Sequence, residues 1–185
     1  GGGGVISGTN YTLTEDENLT IVVGTGGASP TTHGNVNDGT DSEIQGTGFN
    51  FKARGGGGGG GEGPWNDSSY RAGHTGGSGG GHAWENSRNP TSAKYYDTNG
   101  TLQDMPSSGE YTMSSSSGTV VVYGNKGGQH GGGYVPSAGG GAGEVGGGTD
   151  EEDKQYQAHG GDGIQIAWVT PQALGHSGSH NGVGN

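Results

Sequence analysis

The sequence predicts a mostly β and irregular fold without α-helix, in which short β-strands lead into a packed bundle of polyglycine-II helices, the glycine form of polyproline II. Three observations predict it. Glycine supplies 49 of the 185 residues and is gathered into runs, the longest unbroken one at 55–61 and others at 1–4, 76–81, 127–133, 139–148 and 160–163. Between the runs lie β-branched and aromatic stretches such as Thr119-Val-Val-Val-Tyr123, which is strand composition and not linker composition. Helix signals are missing throughout.

Only 24% of the residues are hydrophobic, and two Phe, two Met and a few aliphatics cannot build an ordinary apolar core. A glycine run taken alone is a flexible linker, and the composition taken alone is that of a disordered chain. The strand-like entries into the runs argue that the glycine is scaffold. Cysteine is absent, which excludes disulfides and thiolate metal sites. No apolar run approaches the roughly 20 residues of a membrane span, so membrane insertion is not expected. Seven Lys and Arg stand against eighteen Asp and Glu, for a net charge of −11, which disfavours a nucleic-acid partner. The chain begins inside a glycine run without Met, as expected for a piece of a longer protein.

In chain order, Tyr11 to Thr14 and Leu19 to Val23 read as two short strands joined by the polar turn at 15–18, a hairpin-like start. After the loop at 24–40, the apolar residues from Ile44 to Phe51 alternate again. Phe49 and Phe51, one residue apart, belong on the same face of a strand and are expected to cap one end of the glycine bundle. Residues 82–118 form the longest stretch without a glycine cluster and read as a long loop insertion. Thr119 to Tyr123 is the clearest strand, and Ile164 to Val169 reads as a last one. The expected organisation is one glycine-rich domain over 1–170 with the insertion at 82–118, and a C-terminal tail or junction at 171–185.

Polyproline II has three residues per turn, rises about 3.1 Å per residue and makes no internal hydrogen bonds, so its N–H and C=O groups must find partners outside. When the residues are glycine, neighbouring helices can approach until those groups bond one another and Cα–H···O contacts form. A ten-residue run would span roughly 31 Å. The glycines expected to form this core are Gly55, Gly57, Gly59, Gly61, Gly79, Gly131 and Gly141. Gly57→Val should force neighbouring backbones apart. The strict third-residue glycine of collagen is not present.

The ordered stretches TIVVGTGGA at 20–28, DGTDS at 38–42, ARGGGGGGG at 53–61, GGSGGG at 76–81, GGGAG at 139–143 and GGDGI at 160–164 carry a family resemblance. Their order and strand entries resemble the glycine-rich domains of bacteriophage tail-fibre proteins and receptor-binding tip adhesins of T-even-like phages. The resemblance covers about residues 5–169; the long stretch at 82–118 departs from the compact pattern. It implies a polyglycine sandwich whose end loops contact the host surface, on the virion surface or otherwise extracellular. The implied partners are a host cell-surface protein or glycan and other fibre subunits, as a homo-oligomer or attached to a trimeric fibre.

Enzyme signals fail one by one, and no catalytic residue, cofactor or metal ligand set is expected. The glycine runs satisfy G-x-G-x-x-G trivially, with no following helix, and neither a P-loop nor G-x-S-x-G occurs. His176 and His180 have a zinc-like spacing, but Gly175, Gly178 and Gly182 rule against the helix it needs. The acidic run at 150–153 reads as solvated, with calcium binding left open. Aromatic residues offer the better lead. Trp65, Tyr70, Trp84, Tyr95, Tyr96 and Tyr111 are expected in loops among Ser, Asn and Gly, the mixture that paratopes use, with Arg71 and Arg88 beside them. These eight are the candidate receptor-contacting residues. Two other readings are that the rings cover the ends of the bundle, and that the chain is a purely structural fibre or filament subunit.

Overall fold

Gly8 sits opposite Val120 in the first sheet, and a side chain there would run into the Val120 methyl group, so the β-sheets use glycine for close approach too. The computed structural model describes residues 1–28, 37–61, 68–83, 89–129, 136–148 and 159–166. Among them the regular elements are strands β1 (Val5–Thr9), β2 (Thr20–Val22), β3 (Ser42–Gly46), β4 (Phe49–Ala53), β5 (Lys94–Tyr96), β6 (Leu102–Asp104), β7 (Glu110–Ser115) and β8 (Gly118–Tyr123), with a short 3₁₀ turn at Ser68–Arg71. They form small antiparallel sheets in the orders β1-β8-β7, β2-β3-β4 and β5-β6. The described residues contain no α-helix and their regular structure is mostly β.

Alternation sets the apolar core. In the first sheet Ile6, Val122 and Tyr111 share one cross-strand row, and Gly8, Val120 and Met113 the next, so all point to one face. That face meets Ala93, Tyr95 and Met105 to make the buried cluster, with Phe51 and Tyr11 packed against it. Phe49 and Phe51 do share a face of β4, stacked at 5.3 Å, and Tyr11 meets both rings edge-on at 5.5 and 5.2 Å.

The start of the chain corrects the expected hairpin. The first strand is 5–9 and not 11–14, and it pairs with β8 while β2 pairs with β3. Asn10 takes a left-handed φ of 58°, which ends the extended run and swings Tyr11 onto the phenylalanines. The acidic turn is then tied to the second sheet, because the Glu17 carboxylate accepts the N–H groups of Thr47 and Thr14. The stretch 82–118 is likewise not one long loop, since β5, β6 and β7 lie within it, and the stretch supplies Tyr95, Met105 and Met113 to the core. Most of its described polar residues are exposed, while His82 and Thr91 are buried. Residues 164–166 are not in a strand, and the remainder of that expected strand lies outside the described residues.

The β5–β6 turn is organised by Asp97, whose Oδ1 accepts the N–H groups of Asn99 and Thr101 at 2.9 Å each, while Oδ2 accepts the Gln103 amide at 3.1 Å. The Thr101 N–H is the largest cause holding the Asp97 carboxyl below its usual range, opposed by desolvation and aided by Gln103 and the Asn99 N–H. A depressed carboxyl contributes stability above the ordinary carboxylate pKa and loses it as pH falls through its own lower value. Melting temperature followed downward through the acid range is therefore expected to show a step in the parent that Asp97→Asn removes.

The glycine-rich segments run side by side at one end of these sheets, and their backbone bonds follow a three-residue spacing. The N–H groups of Gly57 and Gly60 donate to the carbonyls of Ser78 and Gly81 at 3.0 and 2.8 Å. The carbonyls of Gly55 and Gly58 accept from Gly77 and His74 at 2.8 and 2.9 Å. The same step recurs where Gly80 and Ala83 donate to His74 and Arg71, where Asn125 and Gly128 donate to Gly141 and Ala138, and between 79–82 and 137–140. A β-ladder would repeat every second residue. Residues 76–82 are all buried, so this segment, and not 55–61, is the innermost crossing. Ser78 is its fully buried side chain, and its hydroxyl donates to the Gly141 carbonyl at 3.0 Å. Asn125 also donates its amide to Gly141 and Ala142, at 3.2 and 3.1 Å. The interior here is amide and not hydrocarbon, and its polar groups are satisfied by one another.

Four of the expected core glycines have no room for a Cβ. A Cβ on Gly55 would strike Gly39, one on Gly57 the His74 carbonyl, one on Gly79 the Thr91 side chain and carbonyl, and one on Gly141 the carbonyls of Gly161 and Asp162. Gly61 donates to the Tyr70 carbonyl at 2.8 Å. Gly59 is a correction, for it faces outward and a Cβ there meets nothing closer than the Gly81 carbonyl at 3.9 Å. Gly131 lies outside the described residues.

Candidate functional site

The hydrogen-bond register fixes which ends of the segments lie together. Strands β2, β4 and β8 lead directly into glycine segments at 24, 54 and 124, and the segments 1–4, 37–41 and 89–93 run back into β1, β3 and β5. All these junctions meet at one end: Gly4 donates to Arg54, Gly24 to the Ser42 hydroxyl, Gly77 to Gly55, and Lys94 to Gly76. The far ends are matched as well. Gly61 bonds to Tyr70, Ala83 to Arg71, Ser137 to His82, Gly128 to Ala138, and Gly147 to His159. The described residues flanking the segments 62–67, 84–88, 130–135 and 149–158 therefore converge on the end opposite the sheets.

Buried polar groups brace this end. His82 is 5% exposed; its Nδ1 accepts the Gly73 N–H at 3.2 Å, which leaves the Nε2 proton for the Asn89 carbonyl at 2.9 Å. Its backbone exchanges bonds with Ser137, whose hydroxyl accepts from the His82 N–H at 3.0 Å and whose N–H donates to the His82 carbonyl at 3.1 Å. His82 thereby ties Gly73, Asn89 and Ser137 into one buried cluster.

The eight aromatic and arginine candidates divide. Trp65, Trp84 and Arg88 lie outside the described residues, within the segments 62–67 and 84–88 whose flanks stand at the end opposite the sheets. Tyr70 is half-buried there, on the 3₁₀ turn. Arg71 is a correction as a displayed residue, being only 5% exposed, and its carbonyl accepts the Ala83 N–H at 2.9 Å. Tyr95, Tyr96 and Tyr111 are corrections in place as well. They sit on β5 and β7 at the opposite end and are not loop residues. Tyr95 is buried against Tyr111, with ring centroids 4.3 Å apart, and burial together with the Tyr111 hydroxyl pushes its phenol up to about 12. Tyr96 donates its hydroxyl to Asp41 Oδ2 at 2.8 Å and lies under the Lys52 ammonium at 5.9 Å.

Two residues that sequence reading passed over are structural partners of the glycine run. Asp41 Oδ1 accepts the Gly55 N–H at 3.0 Å, and Asp38 Oδ1 accepts the Gly58 N–H at 2.8 Å and meets His74 Nδ1 at 3.0 Å. Their spacing of three in Asp38-Gly-Thr-Asp41 matches the spacing of the N–H groups they cap, and that match was the available signal. Among the described residues no group of three or more His, Cys, Asp or Glu is placed to hold a metal ion, and no helix is long and apolar enough to cross a membrane. The acidic run at 150–153, His176 and His180 lie outside the described residues. No known family model matches the chain, and no curated protein or solved structure is significantly similar to it.

Proposed function

We propose that this chain is a bacteriophage fibre or adhesin module, a polyglycine-II bundle that presents loops at one end for attachment to a bacterial surface protein or glycan. The observation that carries the reading is the convergence of loop flanks at the end opposite the sheets, with Trp65, Trp84 and Arg88 in the segments that start there. A scaffold that gathers connections of different length and sequence on one braced end can vary its contact residues without disturbing its core. The bundle reading is supported by the three-residue hydrogen-bond spacing and by the lack of room for a Cβ at the crossings. Rigid rings with small polar neighbours give contact area at low entropic cost, and several copies on one particle would raise avidity.

The residues of β5 to β7 contribute to the core, so removing 82–118 would unfold the sheets and test nothing about attachment. The informative variant exchanges 62–67 and 84–88 for glycine-serine segments of equal length, with melting used to verify folding. Adsorption of the labelled protein to a panel of bacterial strains is expected to be strain-specific for the parent and lost for the exchange. Equal adsorption by both proteins, or none by the parent to any strain of the panel, would overturn the proposal.

A further inference from the structure

Strand β2 is the edge of its sheet, and among the described residues no backbone group bonds to its outer side. The register places Ile21 beside Ile44 and Ile44 beside Phe51, so one apolar row runs from the core cluster to that open edge. The row ends in solvent: Ile21 is 66% exposed and Val23, on the same face, 81%. Beneath it lies an open apolar groove of about 460 Å³ between the two three-stranded sheets, floored by Ile6, Val120 and Phe51 and flanked by Leu13. The opposite face of the sheet is polar, with Glu43 paired to Lys52 at 3.5 Å.

An unpaired edge beside an unfinished apolar row is what β-strand addition needs. We infer that this edge takes up an extended segment of a different polypeptide, apolar at alternate positions and basic at its flanks. Charge chooses the occupant. The connection into β2 carries Glu15, Asp16 and Glu17, and the nearby cation Lys52 is already paired to Glu43. A second copy of this chain paired parallel would set the same carboxylates against each other, and paired antiparallel would leave the acidic ends of both copies without a cation. An anionic lipid surface would meet the same repulsion, and an alkyl chain would leave the backbone edge unused. A strand with Lys or Arg at its flanks completes both the hydrogen-bond ladder and the charge balance. The surface lies on the sheet side of the molecule, away from the loop-bearing end, so it is distinct from the attachment site proposed above.

The test uses the full chain and synthetic peptides of alternating valine and threonine with lysine at both ends. Nuclear magnetic resonance titration is expected to shift the amides of Thr20, Ile21 and Val22 in a saturable manner. The glutamate-ended peptide should bind about tenfold more weakly, and backbone N-methylation should abolish binding. Ile21→Lys, at an exposed position, should melt like the parent and lose the peptide. Absence of binding, equal affinity for both peptides, or shifts elsewhere would overturn the inference. So would self-association through this edge in sedimentation, or uptake of monomeric dodecyl maltoside in the peptide's place.

Discussion

Gly57→Val is expected to destabilise the protein by about 3 kcal/mol or more, lowering its melting midpoint by roughly 10 °C, while Gly59→Ala in the same run leaves it near the parent. The two positions are two residues apart in one stretch of identical sequence, so composition cannot distinguish them. Packing does. A Cβ on Gly57 would overlap the His74 carbonyl and come within 3.0 Å of the Gly80 N, and both atoms belong to backbone already engaged by hydrogen bonds. Neither can swing aside as a flexible side chain would, so adjacent segments must separate and the bonds to Ser78 and Gly81 stretch with them. At Gly59 the nearest atom is 3.9 Å away and φ lies outside the left-handed region, so alanine fits. Reduced freedom of the unfolded chain would even add about 0.4–1 kcal/mol there. Thermal melting of the two variants decides the matter. If Gly57→Val melted with the parent, the run would be linker and the close-packed backbone interior would be wrong.

What could be read in the sequence was whatever depends on near neighbours. The strand at 119–123 and the shared face of Phe49 and Phe51 follow from β-branching and from a period of two, and both are found. Pairing was not legible. β1 joins β8 across more than half the chain, and no local pattern in Val5-Ile6 names so distant a partner. Tyr95 and Tyr111 looked like displayed loop residues because Ser, Thr and Asn surround them, yet Thr112 and Ser114 occupy the outer face of β7 while both rings pack on the core. The glycine interior was legible as a possibility of close approach. Which glycines face inward depends on how each run is rotated, and that is set by partners such as Asp38 and Asp41 outside the run. Of the candidate attachment residues, the sequence supplied Trp65, Trp84 and Arg88, and the hydrogen-bond register of the glycine segments supplied the end from which their segments start.

Asp41 links the two halves of the structure, and removing its carboxylate is expected to cost about 2–3 kcal/mol. Oδ1 holds the Gly55 N–H at the start of the glycine run, and Oδ2 holds the Tyr96 hydroxyl of β5, so one side chain ties the glycine run to the sheet. Asp41→Ala leaves a half-buried N–H and a half-buried hydroxyl without their acceptor, and it is this loss of satisfaction that sets the magnitude. Tyr96→Phe removes one of the two bonds and should cost about 1 kcal/mol, and the double variant should cost less than the sum because the shared bond is lost only once. An independent readout follows from titration. The hydrogen bond to Asp41 is the first cause, and burial the second, that raise the Tyr96 phenol above its ordinary range. A raised phenol contributes stability below the ordinary tyrosine pKa and loses it as pH rises through the raised value. In Asp41→Ala that phenol should ionise at lower pH, seen as an earlier phenolate absorbance step, and part of the alkaline stability loss should disappear with it. Additive costs together with an unchanged Tyr96 titration would mean that the carboxylate does not couple the two halves.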